Sequence, residues 1–76
     1  MWIEIKNDYG NDFLLNLNQI ATIVKKEINK AHFSYAIEFF EINQNFCTYS
    51  QEFETEEEQH ERFEELKNKL LTKNDN

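Results

Sequence analysis

Between Phe33 and Ile42 the chain is apolar in both phases of a two-residue repeat. Phe33, Tyr35, Ile37 and Phe39 share one phase; Ala36, Phe40 and Ile42 share the other. A strand turns successive side chains to opposite faces, so this segment predicts a strand with apolar material against both faces. A chain of 76 residues has little from which to build two covers. At this length only about 60% of the unfolded surface is buried on folding. Domains so small usually lean on disulfides, a metal or a second subunit. Cys47 is the only cysteine, which excludes an intrachain disulfide, and no Cys/His cluster points to a structural zinc. Aromatic packing and self-association are left. The chain holds seven Phe, three Tyr and one Trp, and each buried ring removes roughly 150–250 Å² from water.

The flanking segments read as further strands. Residues 1–7 alternate, with Ile3 and Ile5 on one side and Trp2, Glu4 and Lys6 on the other. Asn7-Asp8-Tyr9-Gly10-Asn11-Asp12 reads as a turn around the only glycine. Residues 13–18 alternate again, with Phe13, Leu15 and Leu17 opposed to Leu14, Asn16 and Asn18, so the two runs predict a hairpin. Residues 20–28 are rich in β-branched side chains and continue from the second strand past a kink near Asn18-Gln19. The adjacency of Ile23 and Val24 breaks strict alternation there, and a bulge would reconcile it. Turns at Asn29-Lys30-Ala31-His32 and Asn43-Gln44-Asn45 bracket the strand at 33–42, and a last strand covers 46–53.

The helix has the clearest signature. Thr55-Glu56-Glu57-Glu58 reads as a capping box. Glutamates crowd the positive end of the helix dipole, and Lys67, Lys69 and Lys73 lie towards the negative end. Glu58/Arg62 and Glu65/Lys69 are spaced for i, i+4 pairing with the acid first. Phe63, Leu66 and Leu70, with Leu71 beside them, form a narrow apolar stripe over a helix at about 56–72. The tail 74–76 is expected to fray. The whole predicts one α+β domain: an antiparallel meander of four to five strands followed by one C-terminal amphipathic helix packed on the sheet.

The run Phe13-Leu14-Leu15-Asn16-Leu17-Asn18-Gln19-Ile20, the strand ending Glu52-Phe53-Glu54-Thr55-Glu56-Glu57-Glu58, and Phe63-x-x-Leu66 resemble small bacterial and phage proteins of unassigned function. Their sheet-plus-helix arrangement is similar to a partial pleckstrin-homology fold or half-barrel. The resemblance implies a fold; it brings no activity and no functional residue.

Charge narrows the function classes. The net charge is −7, and residues 52–65 hold eight Glu against one Arg. Direct nucleic-acid binding needs a basic surface to displace counterions, and anionic membranes are disfavoured for the same reason. No stretch is apolar for long enough to span a bilayer, and the N-terminus lacks the pattern of a signal peptide, so a cytoplasmic protein is expected. One glycine rules out a phosphate-cradling or dinucleotide-binding loop.

Other chemistry-bearing residues have plainer readings. Cys47 lies in phase with Tyr49 and Phe53 and reads as a small buried hydrophobe, with neither His32 nor His60 placed beside it as a base. His60 flanks the helix stripe and reads as a half-exposed residue among glutamates. Asp8, Asn11 and Asp12 do not have calcium-loop spacing. No catalytic, metal or cofactor-binding residue is expected, and the chain is read as no enzyme. The function that follows is a protein-interaction module, a homodimer joined through an apolar sheet face or edge. Trp2, Tyr35, Phe39, Phe40 and Ile42 are the candidate interface residues, divided between core and interface. The alternative is an acidic inhibitor of a nucleic-acid enzyme that presents Glu57, Glu61 and Glu64 to a basic cleft. The partner is then either a second copy or another protein with a basic or apolar patch.

Overall fold

The computed structural model describes residues 1–6 and 12–73, with side chains as far as Leu71. Five antiparallel strands and one helix form an α+β fold: β1 (Trp2–Lys6), β2 (Asp12–Asn16), β3 (Ile20–Glu27), β4 (Tyr35–Glu41), β5 (Tyr49–Phe53) and α1 (Glu56–Lys73). The turn read at 7–12 lies outside the described residues except for Asp12, and so does the tail at 74–76.

The strands divide into two sheets, β1-β2 and β3-β4-β5. The break falls at the expected kink, where Leu17–Gln19 form one turn of 3₁₀-helix. Asn16 caps it: its side-chain oxygen accepts from the Asn18 amide at 3.0 Å, the local bonding that makes Asn a poor strand residue and a good cap. The bulge expected near Ile23-Val24 lies earlier, where the β3–β4 register shifts between Ile20 and Thr22. Ile23 and Val24 need no bulge because they face opposite ways, Ile23 towards the core and Val24 outward. The turn after β4 is closed by the Gln44 amide donating to the Glu41 carbonyl at 3.2 Å, with Asn43 in the left-handed region at φ 66°, which Asn tolerates well.

Register decides what each sheet face carries. On the inner face of β3-β4-β5, Ile23, Phe39 and Tyr49 form one row, and Lys25, Ile37 and Gln51 the next. Ile37 and Phe39 are fully buried there, with Ile3, Ile5, Leu15, Leu17 and Leu66. The hairpin and the helix therefore share the covering of one face. Phe13 of β2 meets Tyr49 of β5 with ring centroids 5.5 Å apart. Arg62 ties the pieces together: its Nη2 donates to the Glu4 carbonyl at 2.7 Å and its Nε to Gln51 Oε1 at 3.3 Å. Its Nη1 pairs with Glu65, not with Glu58 as the i, i+4 spacing led one to expect. Glu58 is held at the cap instead, while the Glu65–Lys69 pair forms at 3.6 Å.

The cap forms as read. The Glu58 amide donates to Thr55 Oγ1, and the Thr55 hydroxyl donates to Glu58 Oε1, each at 3.1 Å. Thr55→Ala is expected to cost about 1 kcal/mol. Thermal melting should show this as a drop of roughly 4–8 °C for a domain of this size.

Candidate functional site

The five aromatic and aliphatic candidates separate in space. Phe39 is 0% exposed at the centre of the core. Tyr35 lies on the same face of β4, half-buried. Phe40, on the other face, is half-buried, and Ile42 is exposed in the turn beyond β4. Trp2 is 65% exposed on the outer face of the β1-β2 hairpin. Glu57 and Glu61 are exposed on α1 at i, i+4 spacing, whereas Glu64 is half-buried with its carboxylate 3.9 Å from Lys67.

The outer face of β3-β4-β5 is more polar than the β4 sequence alone implies. Cross-strand neighbours supply part of the charge, Lys26 opposite Ala36 opposite Glu52, and β4 supplies Glu38, which stands between Val24 and Ser50. Lys26 pairs with Glu38 at 3.8 Å, and Lys30 with Glu52. Ala36 between them is buried. Lys25, Lys26 and Glu27 close the β3 edge, and charged edge residues discourage the addition of another strand.

Among the described residues, two apolar surfaces bear on the site, apart from the singly exposed Val24, Ile42 and Phe46. The first is a ridge on the outer face of the hairpin. Trp2 stands opposite Asn16, and Leu14 opposite Glu4, so Trp2 and Leu14 are diagonal neighbours within reach of each other. Leu14 is 66% exposed, and Glu4 beside it is also exposed.

The second is an open groove of about 400 Å³ between the C-terminal half of α1 and the 3₁₀ turn leading into β3. Leu17 and Leu66, both buried, line it, together with the half-buried Ile20, Ile23, Phe63 and Leu70. Leu71, Lys67 and Ala21 are its exposed lining. Lys25 holds its Nζ 5.0 Å from the centre of the Phe63 ring, a cation over an aromatic face. The groove thus combines an apolar floor with Lys67 on its lining and the Lys25 ammonium over one of its rings, a combination of the kind that holds ligands. The groove was not legible from the helix stripe alone, because it needs the turn at Leu17–Gln19 to hold β3 away from α1.

Sequence reasoning also missed Gln59. This side chain is 4% exposed, yet its amide Nε2 donates to the Ala36 carbonyl at 2.7 Å and the Lys26 carbonyl at 3.1 Å. It pins α1 to two neighbouring strands. The available signal was spacing: positions 59, 63, 66 and 70 continue the apolar stripe, with a polar residue in its first place.

Cys47 is half-buried, and its Sγ donates to the Tyr49 carbonyl at 3.0 Å. Burial pushes its thiol above the ordinary value, and the nearby Glu38 carboxylate adds to the rise. Such a thiol stays protonated at neutral pH and is a poor nucleophile. It should react with iodoacetamide more slowly in the folded chain than in urea, and equal rates would show an open thiol. Among the described residues no group of three or more His, Cys, Asp or Glu is placed to hold a metal ion. No helix among them is long and apolar enough to cross a membrane. Comparison with protein-family models, with curated proteins and with solved structures finds no match to this chain.

Proposed function

We propose that the chain is a non-enzymatic protein-interaction module that self-associates. The observation that carries this reading is the pair of uncovered apolar surfaces, the Trp2–Leu14 ridge and the groove along α1. Exposed contiguous apolar surface on a small domain usually marks an interface. The polar outer face of β3-β4-β5 and its charged edge turn attention to the hairpin face and the groove. Light scattering on the eluting protein, read over a range of loading concentrations, tests the reading: the mass should rise with concentration, and a mass fixed at 9.3 kDa would end it.

One observation favours a second reading, in which the acidic face of α1 engages a basic cleft: Glu57 and Glu61 point to solvent on one side of the helix. The variant Glu57→Lys with Glu61→Lys and Glu64→Lys separates the two. It should abolish binding to a basic partner while leaving self-association in place.

A further inference from the structure

We propose that the partner is a second copy of this chain, and that each protomer seats its Trp2–Leu14 ridge in the groove of the other. This rests on the self-association reading and adds the mode of contact. Three observations lead to it. First, ridge and groove are chemically complementary. The ridge is apolar and carries the exposed carboxylate of Glu4 beside Leu14. The groove is apolar and has Lys67 on its lining and Lys25 over Phe63. Lys25 has no carboxylate within ion-pair distance among the described residues, and the Lys67–Glu64 contact is loose at 3.9 Å. In a chain of net charge −7, Lys67 on the groove lining and Lys25 over the Phe63 ring select an acidic apolar occupant, and the ridge is one.

Second, the two surfaces adjoin. The Leu17 amide, at one end of the groove, donates to the Met1 carbonyl at 2.8 Å, and Trp2 is the next residue. The strand that carries the ridge is thus bonded to a residue of the groove lining, with Trp2 on its outer side. A two-fold axis near this junction lets each ridge meet the other groove, which closes the assembly at two copies. Third, the occupant is of the kind such sites favour. A large exposed indole entering an apolar recess is the typical centre of a small interface.

Trp2 is the only tryptophan, so its emission reports whether the ridge is covered, and the groove variant below says by what. The test follows tryptophan emission and solution mass together through a dilution series of the wild-type chain. As the mass falls from dimer to monomer, the emission should move to longer wavelength, and iodide quenching should rise. Leu71→Glu places a carboxylate on the groove lining opposite Glu4, and Leu71 is 56% exposed, so the fold is kept. This variant should weaken the dimer at least about ten-fold, the scale expected of an interface anchor. Trp2→Ala should do the same by mass, whereas Phe46→Ala, at an exposed site elsewhere, should not. A dimer whose tryptophan stays fully open to iodide overturns the proposed contact and leaves self-association standing. A mass that grows beyond two copies overturns the closed exchange. A monomer at every concentration overturns both this contact and the reading beneath it.

Discussion

Phe39→Ala should lower the urea midpoint of unfolding further than truncation of any exposed ring. The ring is 0% exposed and stands where all three layers of contact meet. It lies between Ile23 and Tyr49 on the inner sheet face. Removing it forfeits its transfer free energy and opens a cavity that a close-packed core fills only partly, which costs about 3–5 kcal/mol. Domains have roughly 0.05–0.15 kcal/mol of stability per residue. For 76 residues that amounts to about 4–11 kcal/mol, so this single truncation removes from about a quarter to all of it. Urea titration followed by near-ultraviolet circular dichroism is the check. Phe46→Ala is the comparison: Phe46 is 62% exposed, and its loss should stay within about 0.5 kcal/mol. Equal midpoints for the two variants would mean that Phe39 does not centre the core.

Gln59→Glu should be the most disruptive change of a single atom type, and a pH-dependent one. The substitution keeps size and shape but removes both N–H donors that serve the Ala36 and Lys26 carbonyls. The introduced carboxylate would face two carbonyl oxygens in a buried site, which costs several kcal/mol when it is ionised. Its pKa in the folded chain is therefore raised above the unfolded value of about 4.3. The folded state then binds more protons than the unfolded state, so stability falls as pH rises. The variant should be closest to wild type below about pH 4.3 and lose up to about 1.4 kcal/mol per pH unit above it, until the folded-state pKa is passed. Urea midpoints relative to wild type at about pH 5.5 and about pH 8 read this slope. Gln59→Met, which removes the donors without adding a charge, should show a smaller loss with no added pH dependence. Parallel pH profiles for Gln59→Glu and wild type would contradict the pinning role.

The local signals in the sequence carried a good part of this fold. The capping box at Thr55–Glu58 and the alternation of Ile3 and Ile5 rest on spacing within a few residues and have their counterparts in the structure, as does the inward phase Tyr35, Ile37 and Phe39 of the strand read at 33–42, which runs from Tyr35 to Glu41. The division into two sheets was half legible: Asn18-Gln19 read as a kink, but not as the 3₁₀ turn that ends one ladder and starts another. What was not legible depends on partners distant in sequence. The outer face of β4 looked apolar because Ala36, Phe40 and Ile42 were read without Glu38 between them and without Lys26 and Glu52 across the ladder. Arg62 was assigned to Glu58 on helix spacing, whereas a guanidinium with donors on two sides reached Glu4 and Gln51 from other strands. The groove has no sequence pattern of its own, since Leu17, Ile23 and Leu70 converge only once the turn before β3 is in place.

The measurement that bears most directly on the central claim is sedimentation equilibrium of the wild-type chain over a wide range of concentrations. Self-association through the exposed ridge and groove predicts an average mass rising reversibly from 9.3 kDa towards twice that value. A mass of 9.3 kDa at every concentration would contradict it.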